Sequence, residues 1–137
     1  LESGLGRWVK FDKDDFVGKA SLMAEHQAGT KRHFVTLTLD DPVTDSGDGT
    51  LGEPFGEAVY LSTVNIDNKS AGLVVSAGYG HRVEKSIAMA VIDADALDDN
   101  VLGGEKPISV LVLGKERRAH IVEGGVLYDP DNSRMKV

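Results

Sequence analysis

The chain contains no cysteine, so disulfides, thiolate zinc sites and a cysteine nucleophile are all excluded. It also has no apolar run near the roughly 18 to 20 residues that span a bilayer, and no charged-then-apolar signal stretch opens it. Positive charge is short: 15 Lys and Arg stand against 22 Asp and Glu, a net charge of −7. Such a field repels nucleic-acid phosphates, and the densest basic cluster, Lys115, Arg117 and Arg118 with Glu116 inside it, reads as a solvated hairpin tip. Nucleotide motifs are missing as well. Gly4-Leu-Gly6 is not a G-x-G-x-x-G between strand and helix, and no G-x-x-x-x-G-K-[ST] occurs. There is no H-x-H, no H-E-x-x-H and no Ser-His-Asp arrangement, so neither a metal site nor a catalytic residue is assigned. An initiator Met is absent too, and the start at Leu1 reads as a cut from something longer.

What is present fits one soluble globular domain of 137 residues, with 41% hydrophobic and 27% charged residues. One segment has helical spacing. Phe16, Ala20 and Met23 recur at i, i+4 and i+7, Asp14 or Asp15 can cap the start, and Gly29 is a natural stop. A helix is predicted over Asp14 to Ala28, with Gly18 inside it weakening it by about 1 kcal/mol relative to Ala.

After Thr30 the period changes to two. His33 to Leu39 sets Val35, Leu37 and Leu39 on one face and Thr36 and Thr38 on the other. Ala58 to Ser62, Ala71 to Ser76, Ser86 to Ile92, Ile108 to Leu113 and Arg117 to Val122 follow, the last two joined by Gly114-Lys115-Glu116. Six short strands without intervening helices predict a mainly β fold: a six-stranded barrel preceded by one N-terminal helix, residues 1–30 forming the lead-in and 31–137 the barrel. Asp40 to Gly56 and Asp93 to Gly104 read as polar surface connections.

The best functional candidate is Gly78-Tyr79-Gly80-His81, read as a loop. Flanking glycines let a backbone approach a ligand, while Tyr79 offers a flat face and a hydroxyl, and His81 an imidazole. A tight strand connection with its aromatic on the barrel rim is the competing and commoner use of such a stretch. Asp45-Ser-Gly-Asp48 and Asp129-Pro-Asp-Asn132 cluster oxygens but lack the full calcium-loop series, and read as turns. Trp8, among Leu5, Val9 and Phe11, reads as an anchor against the barrel or against a neighbour.

Three stretches together carry a family resemblance: Leu1-Glu-Ser-Gly-Leu-Gly-Arg-Trp-Val-Lys-Phe-Asp-Lys13, Ser76-Ala-Gly-Tyr-Gly-His81 with Lys85-Ser-Ile-Ala-Met-Ala90, and Leu127-Tyr-Asp-Pro-Asp-Asn-Ser-Arg134. In that order and spacing they resemble the C-terminal barrel domain of the glycine-cleavage T-protein (aminomethyltransferase) family. The Tyr-Gly-His stretch and the Leu-Tyr-Asp-Pro ending look more like its dimethylglycine and sarcosine dehydrogenase branch. The resemblance implies a barrel that follows a larger folate-binding region of the same chain and helps close the pocket for tetrahydrofolate. In the dehydrogenase branch it also implies an N-terminal FAD domain and an N-methyl amine substrate. The family's catalytic carboxylate and flavin attachment site lie upstream, so the chain by itself is expected to be non-catalytic. Tyr128 and Arg134 match the family's terminal segment near the cofactor, and a guanidinium there suits a folate carboxylate. Glu123-Gly-Gly125 departs from the more basic or proline-containing stretch of T-proteins, which puts polyglutamate recognition in doubt. Tyr79, His81, Tyr128 and Arg134 are therefore the expected cofactor-binding residues. Cytoplasm, or mitochondrial matrix in a eukaryote, is the expected location. A non-catalytic barrel for interaction or scaffolding, and the barrel of a stand-alone T-protein, remain alternatives.

Overall fold

The computed structural model describes residues 1–40, 58–129, 131 and 133. Six strands carry the fold: β1 Arg32–Leu39, β2 Thr63–Ile66, β3 Lys69–Gly80, β4 Lys85–Asp93, β5 Ile108–Val112 and β6 Lys115–Ile121. Each pairs antiparallel with its neighbours in the closed order β1-β4-β3-β2-β5-β6, with β6 returning to β1. The expected mainly β six-stranded barrel is the observed fold.

Period-two alternation fills the interior. On β4, Ser86, Ala88, Ala90 and Ile92 are buried and Ile87, Met89 and Val91 point the other way. Leu37, Val64, Val74, Val110 and Ile92 form the fully buried centre, and Val101 of the short helix α2, Asp99–Leu102, joins them. Small Ala88 and Ala90 share this core with the branched side chains.

β3 bends to serve two neighbours. Its register slips against β2 at Ala71 and against β4 at Val75, so one extra residue sits on β3 at each point. Between the two bulges the backbones of β3 and β4 approach closely. A Cβ added at Gly72 would lie 2.2 Å from the Val91 carbonyl oxygen and 2.8 Å from the Ile92 Cα.

Two tight hairpins set the other registers. Asp67 and Asn68, at φ 50° and 61°, join β2 to β3, and Leu113 and Gly114, at φ 49° and 80°, join β5 to β6. Both are two-residue turns with positive φ at each position, whose twist matches that of the strands. The tip is therefore Leu113-Gly114, one residue earlier than the predicted Gly114-Lys115-Glu116, whose last two residues belong to β6.

Three further expectations are corrected. The helix α1 spans Lys19–Ala28, not Asp14 to Ala28, because Gly18 takes φ 87° and so stands at its N-cap instead of within it. Phe16 therefore precedes the helix, and Asp15 accepts the Phe16 N–H at 2.8 Å instead of capping it. Ala58 to Ser62 is a turn, not a strand: Ser62 N–H bonds Val59 O at 2.9 Å, and Leu61 stands at φ 70°. The second strand is Thr63–Ile66. Asp93 to Gly104 is more ordered than a plain connection, since it holds a 3-10 turn at Ala94–Ala96 and α2. The predicted loop Asp40 to Gly56 lies, beyond Asp40, outside the described residues.

Asp98 caps α2, accepting the Val101 N–H at 3.0 Å through Oδ1 while Oδ2 pairs with Lys106. The Lys106 contact first, and the Val101 N–H second, hold the Asp98 carboxyl below its usual 3.8.

Two stability predictions follow from this packing. Gly72→Ala forces methyl against backbone and lowers stability by about 1–3 kcal/mol in urea denaturation; an unchanged midpoint contradicts the close approach. For Asp98, the contribution of its depressed pKa is complete above 3.8 and disappears as pH falls through the lower folded value. Asp98→Asn keeps the capping oxygen and loses the ion pair. The stability gap between wild type and this variant, measured by urea denaturation across pH, therefore closes in that acid window.

Candidate functional site

The strongest sequence candidate lies where β3 and β4 leave the barrel. Gly78, Tyr79 and Gly80 are not a loop: they are the last residues of β3, paired with Ile87, Ser86 and Lys85. The turn proper is His81 to Glu84, closed by Val83 N–H on Gly80 O at 3.0 Å, with Glu84 at φ 53°. The glycines differ in use. At Gly80 an added Cβ would meet Ile87 Cδ1 at 2.6 Å and Val83 Cγ2 at 2.8 Å, so this glycine serves packing. At Gly78 nothing lies within 4 Å of the added Cβ, which leaves open space over the backbone there. A shallow hollow of about 280 Å³ covers this spot, lined by Gly78, Tyr79, Ile87 and Met89 among others.

The Tyr79 and His81 rings meet edge to face, with centroids 5.0 Å apart and planes at 75°. Tyr79 is the penultimate residue of β3 and His81 opens the turn that follows. Both side chains are exposed.

The segment after β6 comes to the same turn. After β6, Val122 N–H bonds Thr36 O at 2.8 Å, and the Thr36 hydroxyl bonds Gly125 O at 3.5 Å. These contacts carry the segment past β1 toward the β3–β4 turn. There the Arg82 guanidinium donates to the Tyr128 hydroxyl from Nη2 at 3.2 Å and Nε at 3.4 Å, and lies 5.3 Å from the Tyr128 ring centroid. One turn thus brings together three of the four expected residues: Tyr79 and His81 by ring contact, and Tyr128 through Arg82. Arg134 lies outside the described residues.

Arg82 becomes visible only in the folded chain. Its only signal was a cation directly after the Tyr-Gly-His stretch, and its partner Tyr128 is 46 residues away. The groups at this end of the barrel are two tyrosine rings, an imidazole and a guanidinium. Aromatic faces can stack on a flat ring, and a guanidinium can pair with a carboxylate.

Other candidates settle differently. Trp8 is 70% exposed, with the Arg7 guanidinium 5.3 Å from its ring, so it does not anchor the lead-in on this barrel. The basic cluster opens β6 beside the hairpin tip, with Lys115, Glu116 and Arg118 exposed. Glu116 accepts from Asn65 Nδ2 at 3.0 Å and from the Ser109 hydroxyl at 3.2 Å, and Arg117 donates to Asp40 O at 2.7 and 3.2 Å. Asp129 takes φ 50° and accepts from the Ser133 hydroxyl at 2.9 Å, as a turn residue does. Asp45-Ser-Gly-Asp48 lies outside the described residues.

Comparison with known proteins now places this geometry. The family model described as "Glycine cleavage T-protein C-terminal barrel domain" matches residues 32–129. The chain is 31% identical over 123 residues to the aminomethyltransferases of Caldanaerobacter subterraneus subsp. tengcongensis and Moorella thermoacetica, covering 90% of this chain and 28% and 29% of theirs. The crystal structure of the glycine cleavage system aminomethyltransferase T from Bartonella henselae superposes with a TM-score of 0.63 at 15% identity, over 88% of this chain and 30% of that one. This last likeness shows the shared fold alone. The chain belongs to the glycine cleavage T-protein C-terminal barrel family. It spans less than a third of the length of these relatives.

Proposed function

We propose that this chain is the C-terminal barrel of a folate-dependent one-carbon transfer enzyme of the aminomethyltransferase type, and that its β3–β4 turn forms one wall of the folate site. The observation that carries the reading is the convergence of Tyr79, His81, Arg82 and Tyr128 at one end of a barrel of this family. Tetrahydrofolate supplies an acceptor for the one-carbon unit. Its flat ring system suits the Tyr79 and His81 rings, and its glutamate carboxylates suit the guanidiniums of Arg82 and Arg134. The site is open to the side, as a wall completed by other parts of a longer polypeptide would be. The remaining pocket and the reacting groups are assigned to that upstream region of the same chain, and the cytoplasm to the enzyme as a whole. No described helix is long and apolar enough to cross a membrane.

The finer placement, in the dimethylglycine and sarcosine dehydrogenase branch, rests on Gly78-Tyr-Gly-His81 and on the Leu127-Tyr-Asp-Pro130 ending. In that reading an upstream domain holds FAD and oxidises an N-methyl amine, and the folate collects the carbon. A stand-alone T-protein fits the named relatives as well. The full reading frame separates the two, since only the first places a flavin fingerprint upstream.

Calorimetric titration of tetrahydrofolate into the full-length polypeptide tests the site. Arg82→Gln and Arg134→Ala should each weaken binding by about 1–3 kcal/mol, with the thermal midpoint little changed. In the dehydrogenase case sarcosine or N,N-dimethylglycine should still reduce the flavin in both variants. Equal affinities within a factor of two leave the turn and terminus with a packing role. A full-length protein that binds no folate supports the scaffold alternative instead.

A further inference from the structure

Arg82 is a cation held in place without being neutralised. Arg32 pairs with the Glu2 carboxylate at 3.0 Å, and Lys106 pairs with that of Asp98, so each of those charges is largely cancelled where it sits. Arg82 instead donates from Nη2 at 3.2 Å and Nε at 3.4 Å to the Tyr128 hydroxyl, a neutral oxygen. Its Cζ also lies 5.3 Å from the centroid of the Tyr128 ring. The charge stays available to an anion, in a chain whose net charge of −7 otherwise repels one.

The edge that Tyr128 takes matters. A guanidinium is a planar fork of N–H donors. Nε and Nη2 form one edge of that fork, and this is the edge on the Tyr128 oxygen. Nη1 and the second hydrogen of Nη2 form another, which can grip a carboxylate with two parallel bonds. Among the described residues, Arg82 makes no ion pair and no hydrogen bond through Nη1. Its side chain is exposed.

The holder is itself held. Val122 N–H on Thr36 O at 2.8 Å, and the Thr36 hydroxyl on Gly125 O at 3.5 Å, anchor the segment just before Tyr128. Val83 N–H on Gly80 O at 3.0 Å closes the turn that carries Arg82. An arginine on an exposed turn otherwise spreads over many rotamers, which a ligand must freeze on binding. Two donors on one anchored oxygen remove much of that cost beforehand. As a stabilising contact the pair contributes little, since Arg82 is exposed and Tyr128 is 40% exposed.

We propose that Tyr128 is a positioning residue of the folate site: it occupies one edge of Arg82 and so presents Nη1 and Nη2 to a carboxylate of the ligand. This deepens the proposed function and rests on it. Tyr128 acts through Arg82, in place of the direct cofactor contact that the family resemblance implies for it. Two consequences set this apart from a packing role. The effect of Tyr128 requires Arg82, and it is confined to ligands that carry a carboxylate.

Calorimetric titration of the full-length polypeptide tests both, with tetrahydrofolate and a tetrahydropterin lacking the glutamate part as probes. Tyr128→Phe keeps the ring and removes the accepting oxygen. It should weaken tetrahydrofolate binding about three- to tenfold when Arg82 is present, and change it less than about twofold in an Arg82→Gln background. Tetrahydropterin affinity should be the same in all these variants. Equal loss in both backgrounds overturns the proposal and gives Tyr128 a ligand contact of its own. No loss in either background overturns it and leaves the pair to packing. A loss shared by the tetrahydropterin also overturns it, because that reports a disturbed turn. Each of these outcomes leaves the folate site standing. A wild-type protein that binds no tetrahydrofolate rejects the proposed function, and this inference with it.

Discussion

The structure depends on a short seam. β1 meets β6 through only three residue pairs, Leu37 to Leu39 against Ile121 to Ala119, and these close the sheet on itself. Backbone bonds extend the seam at both ends, Val122 N–H to Thr36 O at 2.8 Å and Asp40 N–H to Arg118 O at 2.9 Å. Closure puts Leu37, Leu39 and Ala119 into the shared core. Where β6 diverges from β1, Glu2 O takes the Phe34 N–H, so the lead-in finishes what the seam leaves open.

The same seam sets the site. Because β6 ends beside Thr36, the chain that follows crosses β1 and comes to the β3–β4 turn, where Arg82 holds Tyr128. Because β3 is bent twice by its bulges, it can pair with both β2 and β4 and still extend to Tyr79 at the turn end. Packing, closure and the placing of Tyr79, Arg82 and Tyr128 are thus one chain of cause.

The parts legible in the sequence are those where one physical period holds without interruption. β4, with Ala88, Ala90 and Ile92 inward and Met89 and Val91 outward, could be read directly, and so could β5. β2 could not: it is four residues long, and its neighbour Ala58 to Ser62 is as apolar but is turned back by bonds from Val59 and to Val74. β3 was cut short because bulges space its inward residues Ala71, Val74 and Ala77 three apart, which breaks a period of two. The start of α1 was misplaced because the apolar spacing of Phe16 ignores the φ of Gly18. For the site, Tyr79 and His81 were visible as a local motif. Arg82 was not, because its role is set by Tyr128, a contact that exists only once the barrel closes.

The central claim is that this barrel presents its β3–β4 turn to a folate ligand. A crystal structure of the full-length protein with tetrahydrofolate measures this directly. The account predicts the ligand in contact with Tyr79 or Arg82. A ligand bound away from the β3–β4 turn would contradict it.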